Sequence, residues 1–359
     1  MTGTKEIIQA VVGDKCRYGL LWGDCQTLLD DFPTESIDCV ITSPPYWKMR
    51  DYEIDDEYTS VLIGNDDDPK DYVNRLVEIF HKVRRVLKPT GSLWLNLGDK
   101  YHKKNLMGMP WRVALGLQDD GWILRNDIVW DQMKGTQSVK DRLRDVYEHI
   151  FFFVKRPQYY YDLDKIRIKP EKLPTINGNS IISATGVSGK KYREQILNSD
   201  QLNEQERQAA LMALEETLAK LRRGEIVDFR MTIRGQQRTY HSNSQQISGR
   251  AKELESKGFF IITSHAKGYM PSDIWRIVPE DIWRKDTHYA VFPIELLEVP
   301  IQATCPPNSI VLDPFMGTGS TLAAAIHFGH RGLGIEISRK YIQIAEKRLK
   351  ESVIQLSLY

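Results

Sequence analysis

The chain has 359 residues, enough for one large domain or for a core domain carrying a sizeable insertion. Its 49 Lys and Arg against 48 Asp and Glu leave a formal charge of +1, which excludes a bulk electrostatic preference for polyanions. The longest strongly apolar run, "HIFFFV", is far too short to span a bilayer, and the N-terminus lacks the basic–apolar–small pattern of a signal peptide. The four cysteines, Cys16, Cys25, Cys39 and Cys305, form no C-x-x-C pair and have no histidine at metal spacing, so reduced thiols in a cytoplasmic protein without metal are expected.

In chain order, "SIDCVITS" predicts a strand that stops at Ser43-Pro44-Pro45-Tyr46-Trp47, where two prolines punctuate and two aromatics follow. Next, "DPKDYVNRLVEIFHKVRRVLKPTG" predicts a helix. Asp68 can cap it, Pro69 suits its first turn, and Tyr72, Leu76, Ile79, Phe80, Val83 and Leu87 recur at helical spacing. Lys88-Pro89 ends it, and Gly91 is expected to turn into the strand "SLWLNLGD". A helix "PWRVALGLQDDG" and strands "WILRNDIVW" and "YEHIFFFVK" follow. After residue 271 the same alternation returns: strand "SIVLDPF", helix "GSTLAAAIHFG", strand "RGLGIEIS", and a helix capped by Ser338. This alternation predicts an α/β fold with a mainly parallel sheet.

Residues 156–270 differ, and the expected division is 1–155, 156–270 and 271–359. The middle opens with the Gly/Ser/Asn-rich "INGNSIISATGVSGKKY", then shows a long amphipathic helix pattern stopped by Gly224, then a shorter one in "ISGRAKELESKG". Counted from Lys155, this region holds 20 Lys/Arg against 13 Asp/Glu, a net of +7 that leaves −6 for the rest. Helical charge runs are commonly solvated faces, so the excess supports an anionic partner only weakly.

"VLDPFMGTGSTLAAA" places Asp313 at a strand end, then Gly317 and Gly319, then a helix. It is neither a G-x-x-x-x-G-K-[ST] phosphate loop nor a G-x-G-x-x-G, which removes a nicotinamide-dependent oxidoreductase. Asp313 would repel a pyrophosphate but can accept from an ammonium group, and Glu336 ends the next strand where a carboxylate can take two ribose hydroxyls. An ammonium group and a ribose together describe S-adenosylmethionine.

With those residues in view, "DPFMGTGST" resembles the cofactor motif of the S-adenosylmethionine-dependent DNA amino-methyltransferases, and "TSPPYW" their catalytic motif. The order, catalytic motif first and cofactor motif last, resembles the circularly permuted β class. The resemblance covers about 16–155 and 271–350. It implies a Rossmann-like methyltransferase fold with a mixed, mostly parallel, circularly permuted sheet and an inserted, mainly helical target-recognition region. It implies S-adenosylmethionine as cofactor, with Asp313, Phe315, Gly317 and Gly319 around its methionine part, Glu336 at the ribose, Asp24 near the adenine ring, Phe292 near the cofactor, and Thr318 and Ser320 also binding it. It also implies catalysis by Ser43, Pro44, Pro45 and Tyr46, and double-stranded DNA as the partner of a nucleoid-associated protein. A cognate restriction endonuclease would act separately. "DRLRDVYEHIFFFVK" resembles the segment bordering the base pocket. Where relatives carry a W-x-K-P-N-type run, this chain reads "WDQMKGTQSVKD".

The serine tetrapeptide in that family usually accompanies cytosine N4 methylation; adenine N6 methylation, where aspartate is commoner, and a non-catalytic DNA-binding subunit are the alternatives. Chemically, Ser43 and the Pro44 carbonyl can accept from the exocyclic amine, the prolines hold them rigid, and Tyr46 offers a stacking face for a flipped base. Trp47 is expected in the core, and the amine's surplus proton is expected to leave to solvent. Arg142, Arg230, Arg234 and Arg238 are candidates for DNA contact.

Overall fold

The computed structural model describes residues 3–49, 58, 61–133, 139–177, 180–236, 249–279 and 292–356. The chain forms two compact units, Met1–Lys165 with Ser272–Tyr359, and Ile166–Pro271. The second unit starts ten residues later than the composition suggested. Residues up to 162 still hold to the first unit: Tyr160 N–H donates to the Thr90 carbonyl, Asp162 N–H to the Ala303 carbonyl, and Tyr159 packs against the core.

The first unit is built on eight strands: β1 Tyr18–Trp22, β2 Ile37–Thr42, β3 Leu87–Leu97, β4 Ile123–Asp131, β5 Tyr147–Val154, β6 Ile274–Arg276, β7 Ile310–Asp313 and β8 Arg331–Glu336. Their order in the sheet is β1-β8-β7-β2-β3-β5-β4-β6. β5 runs antiparallel to both neighbours, and all other pairs are parallel. The sheet is therefore mixed and mostly parallel, the α/β architecture that the alternation predicts.

Helices α1 Thr4–Val12, α2 Pro69–Val86 and α3 Met109–Asp119 cover one face, where Leu93, Leu95, Leu97, Phe151 and Phe153 point. Helices α4 Ile294–Thr304 and α5 Ser320–His327 cover the other, where Trp94, Ile150 and Phe152 point. This is the period-two alternation of strands buried on both sides. α6 Arg339–Leu356 packs on α5 through Ala345 and Leu349.

α2 forms as its sequence predicts. Asp68 accepts from Lys70 N–H at 2.8 Å, Pro69 occupies the first turn, and Tyr72, Leu76, Ile79, Phe80 and Val83 are buried. Its end differs from expectation. Leu87 already belongs to β3, and the register steps from Ile37–Leu87 to Cys39–Ser92, so Lys88–Gly91 bulge out. Gly91 turns no corner; a Cβ there would lie 2.7 Å from the Asp38 carbonyl.

The second unit holds helices Gly189–Leu197, Glu204–Arg222 and Gly249–Lys257. Strand Ile226–Ile233 pairs antiparallel with Phe259–His265, and Phe229, Met231, Ile233 and Phe259 are buried with Leu214 and Leu221. Helix outweighs strand in this unit, as expected, and Arg230 lies on the first strand of its antiparallel pair. Its two ends leave side by side: Ile168 and Tyr269 exchange backbone hydrogen bonds of 2.9 Å each way.

Candidate active site

Strands β2 and β7 are neighbours whose onward connections leave on opposite faces, β2 through α2 and β7 through α5. Loops following the carboxyl ends of such a pair diverge and leave a crevice between them. Here that crevice is a cleft open to solvent, lined by Ser43–Tyr46 after β2, by Asp313–Thr318 at and after the end of β7, and by Glu336 at the end of β8. One hydrogen bond ties the two motifs together: Thr42 Oγ1, at the end of β2, donates to Asp313 Oδ1 at 2.6 Å.

The Ser43–Trp47 turn is anchored from several directions. Tyr72 of α2 donates to the Pro45 carbonyl at 2.9 Å, Lys48 N–H to the Gly64 carbonyl, and the Trp47 indole to the Asp66 carbonyl. Trp47 is core, 3% exposed. Ser43 Oγ donates to Tyr46 Oη at 3.1 Å, and Tyr46 Oη donates to Glu148 Oε2 at 2.7 Å. Asn96, buried on β3, donates to the same Glu148 oxygen at 3.1 Å. The Tyr46 ring lies against Gly98, where a Cβ would sit 2.6 Å from Cε2. Only a residue without a side chain lets the ring lie there.

The acids of the cleft are held just as closely. Asp313 is 3% exposed, and its Oδ1 also accepts from Phe315 N–H; burial pushes its carboxyl up to about 6. Glu336 is 8% exposed and accepts from Gly317 N–H and Ser338 N–H, each at 2.8 Å. Burial pushes it up to about 7, with the neighbouring Asp313 charge adding to the rise. The glycine loop is thereby curled onto the Glu336 carboxylate. Gly317 and Gly319 both have positive φ, 55° and 81°, which explains glycine at both positions.

Of the residues expected at the site, Ser43, Pro44, Pro45, Tyr46, Asp24, Phe292, Asp313, Phe315, Gly317, Thr318, Ser320 and Glu336 all line the cleft. Gly319 is not among the lining residues; a Cβ there would face Ala345 of α6 at 3.0 Å. The Ser320 hydroxyl accepts from Arg348, and both Asp24 oxygens cap the short helix Cys25–Leu28.

None of the candidate arginines is among the residues lining the cleft. Arg142 stacks over Tyr101 at 3.9 Å, and Arg230 is exposed on its strand. Arg234, another candidate for DNA contact, fastens its own unit: it pairs with Glu206 at 2.5 Å and donates to the Gln201, Leu254 and Glu255 carbonyls. Arg238 lies outside the described residues, as do residues 134–138 of the divergent run. Sequence reasoning missed Thr42, Asn96, Gly98 and Glu148. For Glu148 the signal was present, a charged residue in phase with Ile150 and Phe152 at the head of an apolar strand.

A switch-point cleft, two buried carboxyls around a glycine loop and a rigid proline turn thus meet at the carboxyl ends of β2, β7 and β8. A family model described as DNA methylase, covering N6 and N4 methyltransferases, matches residues 37–347, and the chain belongs to that family. It is 32% identical to the type II methyltransferase M.SfiI of Streptomyces fimbriatus over 90% of this chain and 89% of the relative. It is 27% identical to M.Cfr9I of Citrobacter freundii over 92% and 87%. Among solved structures, the PvuII DNA methyltransferase (cytosine-N4-specific) shares the fold, with a TM-score of 0.56 and 18% identity over 93% of this chain and 86% of that one. A putative DNA modification methylase of Thermus thermophilus, solved in complex with S-adenosyl-L-methionine, also shares it, with a TM-score of 0.51 and 20% identity over 94% and 96%.

The chain is an S-adenosylmethionine-dependent DNA methyltransferase, and its cleft fits that cofactor. A Cβ at Gly317 would meet nothing within 4 Å, so the loop leaves room, and two carboxyls stand ready for hydrogen-bond donors. No helix among the described residues is long and apolar enough to cross a membrane.

Proposed function

We propose that the protein is a β-class, site-specific methyltransferase that modifies the exocyclic N4 amine of a cytosine flipped out of duplex DNA. The observation that carries this reading is the direction of the Ser43 hydrogen bond. Ser43 gives its hydrogen to Tyr46, which leaves its lone pairs as acceptors at the mouth of the cleft. An acceptor there suits an amine whose nitrogen lone pair is delocalised into a ring and must be drawn toward a tetrahedral shape. The serine form of the tetrapeptide supports cytosine over adenine.

The bound cofactor supplies a methyl group on a positively charged sulfur. The chain's own residues do the rest. Asp313 receives the cofactor's ammonium group, and Glu336 its ribose hydroxyls. Phe315, Gly317 and Thr318 flank the methionine part, while Asp24 and Phe292 stand at the adenine side. Ser43 and the Pro44 carbonyl accept from the target amine, fixing its lone pair toward the methyl, so positioning supplies much of the rate. Tyr46 walls the slot, worth roughly 1–3 kcal/mol of base stacking. The unit Ile166–Pro271 is the target-recognition region, with the exposed Arg230 as a DNA contact; a partner nuclease would act on the same site.

Nucleoside mass spectrometry on DNA incubated with the protein and labelled S-adenosylmethionine tests the reading. N4-methylcytosine is the expected product. N6-methyladenine would keep the family and overturn the role given to the serine.

A further inference from the structure

Resting on the methyltransferase reading above, we infer that Glu148 is the positioning residue that terminates a proton path running from the target amine through Ser43 and Tyr46. The three side chains come from separate parts of the chain. Ser43 and Tyr46 follow β2, whereas Glu148 lies on β5, two strands away in the sheet. Their oxygens form an unbroken series, Ser43 Oγ to Tyr46 Oη at 3.1 Å and Tyr46 Oη to Glu148 Oε2 at 2.7 Å. The second distance is that of a hydroxyl donating to a carboxylate, the stronger class of hydrogen bond.

The far end is built rather than incidental. Asn96, 3% exposed, spends its amide on Glu148 Oε2 and on the His149 carbonyl, 3.1 Å each. That bond fixes the carboxylate against the sheet while leaving Glu148 only partly buried, within reach of solvent. A charge at the end of such a series polarises both hydroxyls in one direction, so that Ser43 presents lone pairs rather than its hydrogen to the slot.

The same series answers where the surplus proton goes. Once methylated, the exocyclic amine is cationic and one of its N–H bonds must break. That proton joins Ser43 Oγ as the serine's own passes to Tyr46 Oη and the tyrosine's passes to Glu148. One N–H and two O–H bonds break, and three O–H bonds form. The amine goes from +1 to neutral and the carboxylate from −1 to neutral, so no free ion is left in the cleft. Glu148 then returns the proton to water.

The test uses the full-length protein, S-adenosylmethionine and mixed-sequence plasmid DNA. Glu148→Gln keeps an acceptor for Tyr46 but cannot take a proton. Its expected effect is a loss of roughly 10²-fold in kcat, with KM for DNA and the cofactor Kd within about threefold of wild type on the same principle that only the proton transfer is removed. Glu148→Ala should fall as far and be restored about tenfold or more by added formate, whereas Glu148→Gln should not respond. A Glu148→Gln enzyme with kcat within about threefold of wild type would overturn the inference. So would a folded Glu148→Ala enzyme that formate leaves unchanged, since a lost proton acceptor should be replaced in part by a soluble carboxylate base. Failure of the wild-type protein to methylate DNA amines would strike the underlying reading instead, and the wild-type control separates the two.

Discussion

At the scale of single residues, the cleft is governed by groups whose hydrogen bonds are already directed. Ser43→Ala removes an acceptor without touching the cofactor loop. Methyl transfer is expected to fall roughly 10²-fold or more while S-adenosylmethionine affinity stays unchanged, measured by single-turnover tritium transfer beside calorimetry. Asp313 and Glu336 carry a pH dependence whose sign can be worked out. Both are raised by burial, to about 6 and about 7, so the folded protein holds protons that the unfolded chain releases above about pH 4. Their contribution to stability is greatest at low pH and is lost as pH rises through about 6 to 7. Cofactor binding should run the opposite way, because an ammonium and ribose hydroxyls favour the ionised acids. The increase in Tm caused by S-adenosylmethionine is therefore expected to grow between about pH 5 and about pH 8. A ligand shift that stays flat over that range would remove these two acids as its contacts.

At the scale of elements, the geometry depends on junctions more than on the elements themselves. The end of β3 passes under the Tyr46 ring at Gly98, and a methyl group there would sit 2.6 Å from a ring carbon. Because Pro45 and Trp47 on either side of Tyr46 are pinned to α2 and to Asp66, the ring would have to swing away from Glu148. Gly98→Ala is thus expected to cost about 1–3 kcal/mol of stability from overpacking. It should also lower methyl transfer by at least the order of tenfold, read by urea denaturation alongside single-turnover rates. Preserved rates would show that the ring position does not matter. The glycines of the cofactor loop act differently from each other: Gly317 makes room in the cleft and Gly319 makes room for α6, yet both need positive φ.

At the scale of the whole molecule, the two units meet the chain differently. The first is interrupted in sequence but continuous in its sheet, since β6, β7 and β8 return after the insertion to complete it. The second enters and leaves through the paired residues Ile168 and Tyr269, with Gly268 so close to the Ile168 carbonyl that no side chain fits. Replacing residues 169–268 by a short glycine-rich turn should therefore leave the first unit folded and binding S-adenosylmethionine by calorimetry. Methylation of mapped plasmid DNA should at the same time lose its site preference. Selectivity that survives the replacement would make the insertion structural.

How much of this was legible in the sequence follows from the range of the interactions involved. Strand and helix alternation, the Asp68 cap, the apolar stripe of α2 and the two motifs are local patterns, set by periodicity and by residues a few positions apart. They determined an α/β fold, a glycine loop with two acids beside it and a proline-rimmed turn at a strand end. The tertiary structure decided what lies across the sheet. It brought Thr42 to Asp313 over an interval of 271 residues and Glu148 to Tyr46 over 102. It also paired Arg234 with Glu206, 28 residues earlier in the chain. Strand register and crossover direction set those contacts, and neither is written in the composition or spacing of the segments they join.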